Sequence, residues 1–331
     1  MTNYQCLRVL KNEETVTTEI EHFEVPELQS GEVLIAVSYS GMNYKDALAT
    51  KANTGVLRSY PLTPGIDMAG TIAATNDERF AVGDEVLTTS YGIGVSQNGG
   101  FSEMQVVPAS WVVKLPKGLT EKQAMTYGTA GFTAALSVDA LVQHGLNAES
   151  RVLVTGATGG VGGFALQFLQ KIGCKEIIAL TRKTDQQDYL TKLGATQVVT
   201  PDEFFPEKNR PLNKQTIDYV VDTVGGEQLG KLIPFISYSG SMALCGNAGG
   251  IKLNMTVLPF ILRGVNLLGI DSVETPMEKR AAIWEKMADE WLVAEGIQVQ
   301  EIALEQVQAT ADAILAGKHV GRTLVRPGGL D

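Results

Sequence analysis

Cysteine and histidine are scarce in this sequence, three of each in 331. Cys6, Cys174 and Cys245 lie far apart, so they build no disulfide framework and suit a reducing cytoplasm. His22, His144 and His319 stand singly and far apart, and a structural zinc site of four clustered thiolates would need more cysteines than the chain has. No apolar run approaches the roughly 18 to 20 residues of a membrane span. The opening MTNYQCLRVLKNEET lacks the basic patch and apolar core of a secretion signal, so a cytoplasmic location is expected. Basic residues are also in deficit: 27 Lys and Arg against 37 Asp and Glu leave a net charge of −10. That balance argues against a nucleic-acid or anionic-membrane surface, and an anionic ligand must be met by a local cluster of donors. No low-complexity tract and no repeat of 20 to 50 residues is visible.

The length is about twice that of a common domain, which predicts two. Through residue 120 the chain is punctuated by Gly, Pro and Asn, and EVLIAVSYSGMN, TIAAT, AVGDEVLTTS and SEMQVVP read as short strands. KDALATK is the one clear helical segment there, and the whole predicts a twisted β-barrel-like domain. From about residue 121 apolar residues recur at helical spacing, and strands then alternate with helices: RVLVTG, a helix over 161–172, EIIAL, a helix near 186–193, TQVVT, IDYVVDTV, a helix near 228–236, GSMALCG and VNLLGI. Such alternation predicts a parallel sheet covered on both faces. Residues 278–295 put Ile283, Trp284, Met287, Ala288, Trp291 and Leu292 on one stripe of a packing helix. The last stretch reads helix, glycine stop, strand, a piece able to return to the first domain and finish its sheet.

The stretch VLVTGATGGVGGFALQFLQKIG, residues 152–173, joins a short β-branched run to a helical pattern. Ala157 to Gly162 occupy the six places of G-x-G-x-x-G, with alanine at the first. Gly159 lets a pyrophosphate approach the backbone, and Gly162 lets helix and strand pack closely. The helix would turn its unpaired first N–H groups and positive dipole end toward the phosphates. Dinucleotide binding is the reading; the alternative is a tight βα turn with no ligand. No Gly-Lys-Ser/Thr follows, which excludes a P-loop. After the next strand, where a ribose-binding carboxylate marks the unphosphorylated cofactor, stand Thr181, Arg182 and Lys183. Arginine and a hydroxyl can hold a 2′-phosphate, and Tyr189 could add its hydroxyl, so NADPH is expected. Solvated loop charges are the alternative, and Asp185 and Asp188 lie nearby.

The chain order of β-rich half, dinucleotide half and returning tail resembles the medium-chain dehydrogenase/reductase superfamily. Further residues carry the likeness: PGIDMAG at 64–70, VGDEV at 82–86, GGFSE at 99–103 and GRTLV at 321–325. Zinc-dependent alcohol dehydrogenases of that superfamily have histidine where this chain has Ile66, and SGMNYKD offers no upstream cysteine ligand. A catalytic metal is therefore not expected. Without a Lewis acid, alcohol oxidation loses its usual activation. Hydride addition to a polarised carbon–carbon double bond needs none, because donors can stabilise the enolate.

NYKDAL (43–48), PGIDMAGT (64–71), GTAGFTA (128–134), VDTVGG (221–226) and LPFILRGVNLLGIDSV (258–273) narrow the resemblance to the bacterial NADPH-dependent acryloyl-CoA reductase family. Gly163 departs from it, standing where serine is common. The resemblance implies an α/β fold: a Rossmann doubly wound parallel sheet for NADPH over 123–296, plus a GroES-like β-barrel catalytic domain from 1–122 and 297–331. It implies a cofactor site from Tyr44, Thr129, Thr158, Gly159, Gly160, Val161 and Thr181 to Lys183, with Leu244, Ile270 and Ser272 at the nicotinamide end. It also implies a homodimer joined through the Rossmann half, with VNLLGI as the candidate edge. The expected chemistry is hydride transfer to the β-carbon of an enoyl thioester, then protonation at the α-carbon. Tyr44 is the named donor, or else water supplies the proton. Asn43 and Asp67 would orient substrate or nicotinamide, and Asp67 has a structural alternative as a carboxylate bonded to turn amides. Arg322 and Arg263 are candidates for cofactor or CoA phosphates, with structural roles equally open. Two other functions stay open: a broader quinone or α,β-unsaturated carbonyl reductase, and a non-catalytic cofactor-binding sensor or RNA-binding relative.

Overall fold

Alternating β-branched side chains decide the first half. The computed structural model describes residues 3–330, and it begins with a hairpin, β1 (Asn3–Asn12) and β2 (Thr15–Glu24), paired antiparallel. In β3 (Glu32–Met42) Val33, Leu34, Ile35 and Val37 lie buried, so both faces of the strand are covered near its start. After the short helix α1 (Tyr44–Ala49) come β4 (Asp67–Thr75), β5 (Glu85–Thr89), β6 (Met104–Pro108) and β7 (Val113–Lys114). Strand β3 pairs antiparallel with β4 and β6, and β5 with β4 and β7. The helix α2 (Glu121–Gln143) is broken inside at Gly128, whose φ of 49° and ψ of −155° no helix allows.

Beyond the break the alternation read from the sequence is present. The strands are β8 (Arg151–Thr155), β9 (Glu176–Leu180), β10 (Gln197–Val199), β11 (Ile217–Asp222), β12 (Ile236–Leu244) and β13 (Asn266–Gly269). The helices are α3 (Gly160–Ile172), α4 (Gln187–Lys192), α5 (Pro201–Phe204), α6 (Gly226–Leu232) and α7 (Leu258–Arg263). All pairs are parallel, in the order β10-β9-β8-β11-β12-β13. This is the doubly wound Rossmann order, whose direction reverses between β8 and β11. Helix α3 ends at Gly173, left-handed with φ 87°, where a Cβ would be strained.

The tail adds α8 (Met277–Ala288), β14 (Val299–Ile302), α9 (Val307–Leu315) and β15 (Arg322–Val325). Strand β15 pairs antiparallel with β3 and parallel with β14, so the tail does finish the first sheet. The chain divides into a first unit, Met1–Thr129 with Ser272–Asp331, and a second, Ala130–Asp271. Both joins differ from those read off the sequence. Residues 123–129 and 272–296 group with the first unit, because Tyr127 donates to Met287 O and Trp291 O and Arg280 donates to Thr89. Helix α8 also stops at Ala288, short of the predicted stripe's end: Trp291 is still buried, but Leu292 faces solvent.

Candidate active site

The first unit holds a buried ionic cluster where β3, β4 and the broken helix meet. Asn43, the residue before α1, and Asp46 form a capping box. Asp46 also accepts from the amides of Gly65 (3.2 Å) and Ile66 (2.9 Å), so PGID is folded back onto α1. Asp67, fully buried at the start of β4, accepts from Asn43 Nδ2 at 2.7 Å, from the Thr129 amide at 2.7 Å and from Thr129 Oγ1 at 2.5 Å. In an unbroken helix the Thr129 amide would donate to Met125; the break at Gly128 turns it toward Asp67.

Arg322 closes the cluster from β15. Its Nε donates to Thr126 O (2.9 Å), its Nη1 to Met42 O (3.0 Å) and Asn43 Oδ1 (3.2 Å). A Cβ on Gly41 would come within 3.0 Å of Arg322 Nη2 and 3.2 Å of Asp67 Oδ2, so only glycine fits there. Burial pushes the Asp67 carboxyl up, against the pull of Thr129, Arg322 and Asn43. Burial and then the charge of Asp67 push Asp46 up to about 7, against the amides of Asn43 and Ile66. Arg322 is lowered by burial. Its Nε and Nη1 donate within this unit, the structural role left open for it beside the phosphate contact, while its buried Nη2 has no hydrogen-bond partner. Tyr44, first residue of α1, is 44% exposed.

Beside the cluster, Ser90 Oγ lies 3.1 Å from Thr129 Oγ1. Ser90 and Tyr91 both take left-handed φ, 68° and 50°, at a cost of about 1–3 kcal/mol each. Neither residue was singled out in the sequence, because positive φ at Ser and Tyr leaves no compositional mark.

In the second unit the glycine turn has the shape expected. Gly156 is left-handed (φ 57°), Gly159 precedes α3 in extended conformation, and a Cβ on Gly162 would strike Gly156 O at 2.5 Å. The Gly159 Cβ direction meets only Gly156 O, at 3.3 Å. The turn is thus open on the side where a phosphate would lie, and the first N–H groups of α3 have no partner within the helix. Thr158 is buried, and Gly160 and Val161 are half-buried. The residues present fit a dinucleotide.

At the end of β9, Thr181 Oγ1 accepts from the Lys183 amide at 3.1 Å, shaping the loop, with Arg182 exposed and Lys183 half-buried. Burial lowers Lys183, as does Arg182, against Asp185. The Tyr189 hydroxyl is buried. Leu244 ends β12, and Ile270 donates to its carbonyl at 3.0 Å, so both stand at the carboxyl ends of the strands. Asp222, at the end of β11 and fully buried, accepts from Thr155 Oγ1 (2.8 Å) and the Gly225 amide (2.8 Å), and burial raises it. Arg263 donates to Pro234 O, Ile236 O and Asn213 O, the structural role left open for it beside the phosphate reading. Ser272 belongs to the first unit, buried.

Comparison with known proteins follows this geometry. The family described as "Alcohol dehydrogenase GroES-like domain" matches residues 29–117, and "Zinc-binding dehydrogenase" matches 160–289. The zinc of that description does not fit the residues present. Ile66 is hydrocarbon, and among the described residues no three His, Cys, Asp or Glu form a metal-holding group. The "Putative quinone oxidoreductase YhfP" of Bacillus subtilis is 47% identical, covering 98% of this chain and 99% of its own. Its crystal structure, with NAD bound, superposes with a TM-score of 0.94 and covers 98% and 100% of the two chains. The acrylyl-CoA reductase AcuI of Ruegeria pomeroyi is 43% identical over 97% of this chain and 98% of its own. The YhdH oxidoreductase of Salmonella enterica, solved with NADP, is 41% identical, with a TM-score of 0.92 and coverage of 97% and 99%. With whole-length likeness at this level, the chain belongs to the medium-chain dehydrogenase/reductase superfamily and is one of its oxidoreductases.

Proposed function

We propose that this protein reduces the carbon–carbon double bond of acryloyl-CoA, or another short enoyl-CoA, to the saturated thioester, here propionyl-CoA, with NADPH as the reductant. The observation that carries the reading is buried Ile66 beside Asp67, hydrocarbon where a metal-dependent alcohol dehydrogenase needs a ligand, in a chain 43% identical to AcuI. Bound NADPH supplies a hydride to the β-carbon, which the acyl carbonyl has made electron-poor.

This chain's residues do the rest. The amides of Gly159, Gly160 and Val161, with Thr158, hold the pyrophosphate. Arg182, Lys183 and the Thr181 hydroxyl take the 2′-phosphate. No carboxylate stands among these three, although YhfP was solved with NAD. Leu244, Ile270, Ser272 and Thr129 bound the nicotinamide. Thr129 is fixed by Asp67, which makes Asp67 and Asn43 orienting groups. The exposed Tyr44 hydroxyl, or water beside it, gives the proton to the α-carbon.

The protein acts as a homodimer joined through its second unit. Strand β13 is an edge strand, and beside it in sequence Val257, Ile261 and Leu262 are exposed, an apolar edge that a second copy would cover. Three free cysteines, two of them buried, fit a cytoplasmic setting.

A second reading, an NADPH-dependent quinone or general α,β-unsaturated carbonyl reductase, is favoured by the 47% identity to YhfP. The test is NADPH oxidation across enoyl-CoA, enone, quinone and aldehyde substrates. Turnover of acryloyl-CoA far above the rest supports the proposal, and preference for quinones or enones selects the second reading. Tight NADPH binding without turnover would overturn both.

A further inference from the structure

We propose that Arg280 is a positioning residue for the reduction, a clamp that holds the strained Ser90–Tyr91 turn and the segment from Ser272 to Thr275 in one geometry. The proposal rests on the reading above that Ser272 and Thr129 bound the cofactor; every residue of the clamp itself lies in the first unit.

Arg280 projects from α8 and is fully buried. A guanidinium has five N–H donors in a fixed fork, and all five are engaged. Nη1 donates to Thr89 O at 3.2 Å and Thr89 Oγ1 at 2.8 Å. Nη2 donates to Ser272 O at 3.1 Å and Val273 O at 3.0 Å. Nε donates to Tyr91 Oη at 3.2 Å, and that hydroxyl donates onward to Thr275 O at 3.3 Å. The guanidinium carbon also lies 4.4 Å from the Tyr91 ring centroid, and the same ring stacks on Trp111 at 5.3 Å.

One side chain therefore ties two chain segments that have no strand pairing with each other. Ser90 and Tyr91 are consecutive non-glycine residues in the left-handed region, a conformation that persists only when its surroundings over-determine it. The fork on Thr89 and the ring contacts on Tyr91 supply that constraint. From Ser90 the constraint runs to Thr129 Oγ1 and so to Asp67. Lysine, with three donors and no plane, cannot reproduce the fork or the stacking.

The test uses Arg280→Met and Arg280→Lys in the full chain, with two readouts. Hydrogen exchange without cofactor is expected to rise about tenfold or more at 89–91 and 272–275 together, with β8 and α3 unchanged. Single-turnover hydride transfer from NADPH to acryloyl-CoA is expected to fall about 10²-fold, the cost of a misplacement near 1 Å, with Lys no better than threefold above Met. The NADPH dissociation constant is expected to move by less than about threefold, since the phosphate contacts are elsewhere. Tyr91→Phe, which removes only the hydroxyl's two hydrogen bonds and keeps the ring contacts, is expected to shift both readouts the same way by less, and it stands in if the Arg280 variants do not fold. Unchanged exchange at the two segments, or a rate loss equal to the unfolded fraction, overturns the clamp. A wild-type protein that oxidises NADPH with no substrate, while exchange behaves as expected, overturns the proposed function instead.

Discussion

Replacing Asp67 with alanine removes the acceptor on which three donors converge: Asn43 Nδ2, the Thr129 amide and Thr129 Oγ1. The consequences differ among them. Asn43 Nδ2 keeps Gly41 O and Asp46 as acceptors, and the hydroxyl can rotate. The Thr129 amide is fixed by the helix break and loses its partner, at about 1–3 kcal/mol. Arg322, just as buried, loses a facing carboxylate that acts on it through space without a direct bond; breaking a buried pair costs about 3–5 kcal/mol, and the lower end applies because Asp46 still faces it. The sum is about 4 kcal/mol. For a unit of this size the melting temperature should fall by about 8–16 °C, read by calorimetry. Arg322→Met should cost a similar amount, and the double variant should fall short of the sum by about 1 kcal/mol or more, since two buried charges are removed together. A variant melting within about 2 °C of the parent, or strict additivity, would refute the coupling between Asp67 and Arg322. Turnover separates the other question. If Asp67 only orients Thr129, Asp67→Asn should retain NADPH binding while losing rate.

Other outcomes follow from the same coordinates. Arg182→Ala should weaken NADPH binding by about 1.5–3 kcal/mol, a charge-assisted bond's worth, and leave NADH little changed; an unchanged preference would show the 2′-phosphate assignment to be wrong. Gly162→Ala would drive a Cβ to 2.5 Å from Gly156 O, so the turn must shift, and NADPH affinity should fall at least about tenfold by fluorescence titration. Ile261→Lys with Leu262→Lys should give monomers by light scattering if β13 and its neighbours form the dimer edge. Burial pushes the Cys174 thiol up to about 11 and Cys245 up to about 12. The unfolded chain ionises near 9, so stability should fall as pH rises from about 9 to 12. Denaturant midpoints at pH 8 and 10 should show that slope, and Cys174→Ala with Cys245→Ala should flatten it.

Much of the architecture was legible because it is written locally. Short β-branched runs, helical spacing and Gly173 fixed β8, α3 and β9 to within a residue or two. The last strand's return to the first sheet was legible from its Gly stop and β-branched run. Less was legible where distant residues decide. Arg322 sits inside the GRTLV motif yet points inward, because Thr126, Met42 and Asn43 provide acceptors that no sequence spacing brings to notice. Tyr189 follows Lys183 closely in sequence, but its hydroxyl is buried. Arg280 fell within a stripe read only for its apolar members.

By itself the sequence determined the parallel sheet, the glycine turn that admits a phosphate and the lack of metal ligands at residue 66. These depend on residue type at short separation: a missing Cβ, a side chain without a lone pair, a periodicity of two or 3.6. Only the tertiary structure decided which charges face inward and which turn is held under strain. A guanidinium's role depends on the carbonyls that happen to surround it, and those come from β3, α2, β5 and the segment before α8, most of them far off in sequence.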